Sequence, residues 1–204
     1  MKAFSQVLYR GPIITKASKA LILLHGRGGT AQNILSLADQ LCDDTFYIAA
    51  PQALNNIWYP HSFMEEEALN EPFLSSSAQS IKELIDETAI HIPKQAIFIA
   101  GFSQGACMAL EVSTRYATKY GGIIAFTGGL IGHQIDMEKY KGDFEDTSVF
   151  ISNGDRDPYI PLERSEQSKE VMKKFGAQVT LKVYEGRPHT ITEDEIRFVK
   201  NTFF

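Results

Sequence analysis

The chain contains 204 residues, of which 44% are hydrophobic and 22% are charged. Both fractions are typical of soluble globular proteins and exclude a disordered or fibrous chain. The formal net charge of −5 at pH 7 argues against a nucleic-acid partner, since such proteins neutralise phosphates with a basic surface. At roughly 150 residues per domain, the length predicts a single domain over residues 1–204.

The chain has two cysteines, Cys42 and Cys107, which are too few for a disulfide framework and favour a reduced, cytoplasmic protein. Residues 1–7 lack the apolar segment of a secretory signal. No window approaches the ~18 uninterrupted apolar residues of a transmembrane helix. We therefore expect no stable insertion into a membrane.

Short apolar segments alternate with helical patterns along the chain. Runs rich in β-branched and aromatic residues, without polar alternation, are typical of strands buried on both faces of a sheet. They predict strands at 20–24, 45–49, 96–100, 122–126, 148–151 and 179–184. Apolar residues at helical spacing predict helices at 31–41, 77–90, 105–117, 162–175 and from about Thr192, which forms a capping pair with Glu195.

The alternation of strands and helices predicts an α/β fold, with a mostly parallel central sheet flanked by helices. The segment 179–184 alternates more than the other strands, which favours a position near the sheet edge. The longest irregular stretch, residues 51–76, has no long apolar run, which predicts a minimal lid or none. Ligands of such sheets bind beyond the carboxyl ends of the strands, so the residues after each strand are the candidates for a site.

A candidate nucleophile lies in Gly101-Phe102-Ser103-Gln104-Gly105, directly after the strand 96–100 and before a helix rich in small residues. This context predicts a sharp strand-to-helix turn that exposes the Ser103 hydroxyl at the rim of the sheet. The partial positive charge of the helix N-terminus then lies at the reaction centre. A serine that only caps the helix is the alternative. We favour Ser103 as a nucleophile.

A serine hydroxyl needs a base to remove its proton, and the base needs an acid to orient it. Of the five histidines, only His189 follows the last predicted strand and gives the chain order Ser, Asp, His. The acid should follow the strand 148–151, where both Asp155 and Asp157 occur. Position alone does not separate them, because either can instead form an Asx-turn in this Gly/Pro loop.

Acyl transfer generates an oxyanion, which a fixed backbone N–H group can stabilise by about 3–4 kcal/mol. The residue after the nucleophile, Gln104, provides one predicted donor. The glycine-rich turn at 25–29 lets the backbone approach a ligand closely, and we assign the Arg27 N–H as the second donor. A phosphate-binding turn is the alternative, but the turn lacks the G-x-x-x-x-G-K-[ST] pattern. This chemistry requires no metal and no cofactor.

Six segments lie in order along nearly the whole chain: Leu24-His25-Gly26-Arg27-Gly28, Ala50-Pro51-Gln52, Trp58-Tyr59, residues 101–105, residues 154–161, and Tyr184-Glu185-Gly186 with His189. In these segments the chain resembles the phospholipase/carboxylesterase family of α/β hydrolases, which includes acyl-protein thioesterases and small bacterial carboxylesterases. The resemblance implies an α/β-hydrolase fold and a Ser-His-Asp triad. It places the acid on Asp157, gives Asp155 a loop-ordering role, and leaves Ser103 and His189 as nucleophile and base.

The chain departs from that family at two places. The residue after His-Gly is often apolar in acyl-protein thioesterases, whereas here it is Arg27. Its side chain is expected either to pair with a substrate anion or to point to solvent. In the segment 51–76, Trp58, Tyr59 and Phe63 follow a strand end. We expect these aromatic side chains to bind substrate, with packing in the core as the alternative.

The sequence therefore predicts a serine carboxylesterase that hydrolyses small carboxylic esters through an acyl-enzyme. The alternatives are an acyl-protein thioesterase or lysophospholipase, and a non-catalytic ligand receptor on a hydrolase fold. The expected partner is a small-molecule ester or thioester. Some members of the family dimerise, so the resemblance also allows a homodimer, for which the sequence indicates no interface.

Overall fold

The backbone is built around one seven-stranded sheet, which the computed structural model describes within residues 3–204. Its strands are β1 (Phe4–Arg10), β2 (Lys19–Leu24), β3 (Phe46–Ala53), β4 (Ile97–Phe102), β5 (Gly122–Phe126), β6 (Ser148–Gly154) and β7 (Gln178–Tyr184). The strand order is β1-β3-β2-β4-β5-β6-β7. β1 pairs antiparallel with β3, and the other neighbours are parallel.

Helices cover both faces of this sheet. They are α1 (Ala31–Leu41), α2 (Glu67–Asn70), α3 (Phe73–Ala89), α4 (Gln104–Arg115), α5 (Leu162–Lys174) and α6 (Glu193–Phe203). Leu21 and Leu23 of β2 share an apolar cluster with α1 and with Val199 of α6. The alternate residues Ile22 and Leu24 share a second cluster with α3, α4 and α5. The sheet therefore separates α1 and α6 from α3, α4 and α5.

The predicted α/β architecture is confirmed. All six predicted strands and all five predicted helices are present, with ends that differ by a few residues. The strand predicted at 179–184 does lie at the sheet edge as β7. The capping pair of Thr192 and Glu195 is also present, as a reciprocal capping box at the start of α6.

The sequence interpretation missed β1 and ended β3 too early. No side chain of β1 is fully buried, so the strand lacks the apolar run by which the other strands were found. β3 continues through Pro51, beyond the last residue that pairs with β2, and there it pairs only with β1. A proline is tolerated in a strand that lacks a neighbour on one side.

The segment between β3 and α3 contains only a turn of 3-10 helix and the four-residue helix α2. No separate lid domain stands over the sheet in the part of the chain described, as predicted. Within residues 3–204, none of the helices combines the length and the apolar character that crossing a bilayer requires.

Candidate active site

Ser103 occupies the turn between β4 and α4, at the carboxyl edge of the sheet. Its backbone has φ 55° and ψ −119°, a conformation that side-chain-bearing residues rarely adopt. A Cβ at Gly105 would overlap the carbonyl oxygen of Leu24, and one at Gly101 would overlap the carbonyl oxygen of Gly105. The two glycines therefore permit the close packing that holds this turn, as the sequence context predicted.

The structure brings three distant polar side chains into one hydrogen-bonded row. His189 Nε2 lies 2.8 Å from Ser103 Oγ, and His189 Nδ1 lies 2.7 Å from Asp157 Oδ2. A carboxylate only accepts hydrogen bonds, so the Nδ1–H of a neutral imidazole donates to Asp157. The lone pair on Nε2 then faces the Ser103 hydroxyl. This arrangement can remove the serine proton and transfer it onward.

The Asp157 carboxyl is held from two sides. Its Oδ1 accepts hydrogen bonds from the backbone N–H groups of Tyr159 and Ile160, both at 2.9 Å. Burial of the carboxyl raises its pKa, but the hydrogen bonds from His189 and from these two N–H groups outweigh burial, and the net pKa lies below the ordinary value. Asp157 is therefore ionised at neutral pH and can stabilise a positive charge on His189.

Asp155 has a different set of contacts. Its Oδ1 accepts a hydrogen bond of 2.7 Å from the backbone N–H of Gly186, which ties the loop after β6 to the loop after β7. This is the loop-ordering role that the family resemblance implied. Asp155 and Asp157 therefore have different contacts in the structure, although their positions in the sequence did not distinguish them.

The His189 ring contacts two aromatic rings. The Phe102 ring centroid is 5.1 Å from the imidazole, and Tyr159 approaches it edge-on with a centroid distance of 4.8 Å. Tyr159 itself is 67% exposed, so it covers His189 on the solvent side. The imidazole is held in place by these two ring contacts as well as by its hydrogen bonds.

Sequence reasoning missed Arg187, which fixes the loop carrying His189. Its buried guanidinium donates hydrogen bonds to the carbonyl oxygen of Thr190 and to Thr127 Oγ1, the latter at 2.6 Å. It also lies 3.4 Å from the buried Glu195 carboxylate. Arg187 therefore links the ends of β5 and β7 to α6. The available signal was an arginine two residues before the candidate base, which pattern reasoning could not connect to Thr127, 60 residues earlier in the chain.

Two backbone N–H groups fit the predicted oxyanion site. Gly28 N–H donates to Asn56 and Gly29 N–H donates to Gly26, and these bonds shape the turn after β2. Within residues 3–204, the N–H groups of Arg27 and Gln104 have no hydrogen-bond acceptor. Both residues line the same cleft as Ser103. Their donors are thus available to a ligand in that cleft.

The family model described as Phospholipase/Carboxylesterase matches residues 13–203. The chain belongs to this family. Acyl-protein thioesterase 1 of Candida albicans is 28% identical over 215 residues, which cover 92% of this chain and 93% of that protein. A phospholipase/carboxylesterase crystal structure from Dyadobacter fermentans has a TM-score of 0.96 at 49% identity, covering 100% of this chain and 98% of the other. A Bacillus cereus carboxylesterase shares the fold, with a TM-score of 0.79, 23% identity and coverage of 97% and 92%.

Membership of the phospholipase/carboxylesterase family confirms the predicted α/β-hydrolase fold and makes the chain an enzyme, a serine ester hydrolase. In this family member, the Arg27 side chain is exposed at the cleft and is held by backbone contacts. Its guanidinium donates hydrogen bonds of 2.7–2.9 Å to the backbone carbonyl oxygens of Tyr59, Pro60 and His61. The guanidinium keeps its positive charge, because carbonyl oxygens do not neutralise it, and the three contacts hold it against residues 59–61. It fixes one wall of the cleft.

The expected role of Trp58 in substrate binding is corrected by its contacts. Trp58 is 1% exposed and lies behind the cleft wall, where its indole N–H donates to the His25 carbonyl at 2.8 Å. Its backbone N–H donates to Gln104 Oε1, while Gln104 Nε2 donates to the carbonyl of Tyr59. The three aromatic residues therefore have different positions. Trp58 packs in the core and stabilises the turn, whereas Tyr59 and Phe63 line the cleft.

The cleft beside Ser103 has a volume of about 550 Å³. Its inner wall is formed by the buried side chains of Tyr59, Phe63 and Cys107. Burial raises the pKa of the Cys107 thiol to about 11, so this cysteine stays protonated and is a poor competitor for the role of nucleophile. The cleft thus combines an apolar inner wall with a polar row at its mouth.

His25 also lies near this site, but its ring nitrogens serve the fold. Nε2 accepts a hydrogen bond from the Ala53 N–H at 3.1 Å, which leaves Nδ1–H to donate to the Gly26 carbonyl at 2.8 Å. Burial lowers the pKa of His25 and outweighs the Gly26 hydrogen bond, which raises it. His25 is therefore a neutral link between the ends of β2 and β3.

Proposed function

We propose that this enzyme is a serine carboxylesterase that hydrolyses small carboxylic esters through an acyl-enzyme. The observation that carries the proposal is the row of hydrogen bonds from Ser103 through His189 to Asp157, with distances of 2.8 and 2.7 Å. In the reaction, Ser103 Oγ attacks the carbonyl carbon while His189 Nε2 takes its proton. Asp157 holds the imidazole in the correct tautomer and stabilises its positive charge.

The N–H groups of Arg27 and Gln104 bind the oxyanion that forms on the carbonyl oxygen. Collapse of this intermediate breaks the bond to the leaving alcohol, which takes the proton from His189. A water molecule then attacks the acyl-enzyme with His189 as base, and the carboxylic acid is released. Each oxyanion donor is worth about 3–4 kcal/mol of transition-state stabilisation.

The preference for short acyl chains is supported by the inner wall of the cleft. Tyr59 and Phe63 are both nearly inaccessible to solvent, and Cys107 lies on α4 behind them. The three hydrogen bonds of Arg27 hold the backbone at Tyr59 in place. A long acyl chain would have to displace this packed wall, whereas an acetyl or butyryl group would not.

The decisive experiment is the hydrolysis of p-nitrophenyl acetate by the wild type and by Ser103→Ala. We expect kcat to fall by at least about 10⁴-fold, because the nucleophile is lost. Ser148→Ala, at the exposed start of β6, is the matched control and should retain wild-type activity. Circular dichroism checks that both variants fold. Wild-type turnover by folded Ser103→Ala would refute the assignment.

The second candidate is an acyl-protein thioesterase, favoured by the likeness to the Candida albicans protein of that name along 92% of the chain. A panel of acetyl, octanoyl and palmitoyl esters separates the two functions. We expect kcat/KM to decline towards palmitoyl. A strong preference for palmitoyl would instead support a thioesterase or lysophospholipase.

A ligand receptor without turnover is tested by a fluorophosphonate probe, which reacts only with an activated serine. We expect labelling of the wild type and none of Ser103→Ala. The absence of labelling in the folded wild type would favour a receptor. Because Cys42 and Cys107 are unpaired thiols, we also propose a location in the reducing cytoplasm.

A further inference from the structure

A second groove lies beside His189, on the side away from the cleft that contains Ser103. It has a volume of about 510 Å³ and runs between α1 and the start of α6. Five apolar residues line it: Ile34, Leu37, Phe102, Ile191 and Ile196. The exposed side chains of Asn33, Ser36 and Gln40 form its rim on α1.

The cleft and the groove lie on opposite faces of the sheet and meet at the reaction centre. The cleft reaches Cys107 of α4, whereas the groove is walled by α1 and α6. Both include His189 and Phe102, but only the cleft includes Ser103. His189 therefore borders both spaces, while Ser103 borders only the cleft.

The tetrahedral intermediate directs the acyl group and the leaving alcohol into different parts of the site. Its carbon carries the Ser103 oxygen, the oxyanion, the acyl group and the leaving alcohol in four diverging directions. When the carbon–oxygen bond to the alcohol breaks, its electron pair stays on the alcohol oxygen, which takes the proton from His189 Nε2. The alcohol must therefore lie on the His189 side. We propose that the groove between α1 and α6 binds the alcohol portion of the substrate, an inference that rests on the proposed esterase function.

The side chains of the groove indicate the chemical class of that alcohol. The apolar floor favours an alkyl or aryl group, and the amides and hydroxyl of the rim favour uncharged polar groups. Glu193 lines the groove, and its carboxylate disfavours an anionic alcohol. Arg27 also lines the groove, but its guanidinium is bound to the carbonyl oxygens of residues 59–61, which line the cleft and not the groove. We therefore assign the groove to a neutral, amphipathic alcohol longer than ethanol.

The test compares acetate esters, so that the acyl group stays constant. The substrates are ethyl acetate, 4-phenylbutyl acetate and its analogue with a carboxylate on the phenyl ring. All three release primary alcohols. For the wild type we expect kcat/KM of the neutral phenylbutyl ester to exceed that of ethyl acetate by about tenfold, equivalent to about 1.4 kcal/mol. The carboxylate should remove most of this gain, and an equal rate for the charged ester would contradict the assigned class.

A pair of adjacent substitutions on α1 locates the effect. Asn33 lies on the rim of the groove, whereas exposed Gln32 lies outside it. Asn33→Trp should reduce the ratio of kcat/KM for phenylbutyl over ethyl acetate by about tenfold. Gln32→Trp should leave that ratio unchanged.

The groove assignment fails if the wild type hydrolyses ethyl acetate but shows no preference for the phenylbutyl ester. It fails equally if Asn33→Trp keeps the wild-type ratio. A wild type that hydrolyses none of the acetate esters, including p-nitrophenyl acetate, would instead refute the esterase function itself.

Discussion

Arg187 and Glu195 form a buried ion pair beside the loop that carries His189. The exposed side-chain fractions are 3% and 0%, and the charged atoms lie 3.4 Å apart. Removing one partner of such a pair leaves the other charge without compensation in the interior, which costs about 3–5 kcal/mol. We predict that Arg187→Met lowers the free energy of unfolding by this amount, measured by urea denaturation.

Two variants test the cause of this loss. In Arg187→Met combined with Glu195→Gln no carboxylate remains unpaired, so part of the lost stability should return. Arg197→Met breaks an exposed pair with Asp194 on the same helix, and such pairs contribute little. Equal free energies of unfolding for Arg187→Met and Arg197→Met would show that the buried pair does not stabilise the fold.

The residues of the site were predictable to the extent that they follow strand ends. Ser103 and His189 each come after a parallel strand, and such strands end at one edge of the sheet. The position of Asp157 could not be separated from that of Asp155 without the family resemblance, because both lie in the same loop. The contacts of Arg27 and Trp58 could not be predicted because their partners are backbone carbonyls, and sequence patterns carry no record of those. The catalytic roles themselves stay predictions.

Among the elements, the buried parallel strands were predictable and β1 was not. β2, β4, β5 and β6 each have neighbours on both sides, so their side chains form continuous apolar runs. β1 has one neighbour and no fully buried side chain. Its sequence therefore has little to distinguish it from a surface loop. β1 is extended because it pairs with the otherwise free edge of β3, and this edge exists only in the assembled sheet.

His25 joins two elements, since its Nε2 accepts the Ala53 N–H at the end of β3. Burial holds its pKa below the ordinary value in the folded state. Its contribution to stability is therefore complete above the unfolded pKa of about 6.5. As the pH falls below that value, the unfolded chain takes up a proton that the folded chain resists. We predict that this single group adds up to about 1.4 kcal/mol of lost stability per pH unit.

The measurement is the free energy of unfolding of the wild type and of His25→Gln between pH 7 and about pH 5.5. His25→Gln should show a smaller decline, because glutamine has no proton to gain in this range. His91→Gln, at an exposed position after α3, is the control and should follow the wild type. Parallel curves for the wild type and His25→Gln would show that His25 does not contribute.

At the level of the whole molecule, a single sheet carries both apolar clusters. Successive residues of β2 alternate between the two clusters. Leu21 and Leu23 belong to the cluster with α1 and α6, and Ile22 and Leu24 belong to the cluster with α3, α4 and α5. Neither cluster can lose its strands without exposing the other. We therefore predict one cooperative unfolding transition for residues 1–204, which would support a single domain.

The chain offers a convenient probe of this prediction. Trp58 is its one tryptophan and is 1% exposed, within the cluster that contains α4. Its fluorescence and the far-ultraviolet circular dichroism should give the same denaturation midpoint. A fluorescence change that precedes the loss of secondary structure would indicate that the two faces of the sheet unfold separately.

The backbone at Ser103 restricts which amino acids this turn can present to a substrate. At φ 55°, a side chain with two heavy substituents on Cβ collides with its own main chain. Threonine offers the same hydroxyl as serine, yet its additional methyl group is incompatible with this conformation. An unbranched thiol would fit without difficulty. Exchange between alcohol-bearing residues is therefore blocked at this position by shape, although their reactivity is alike.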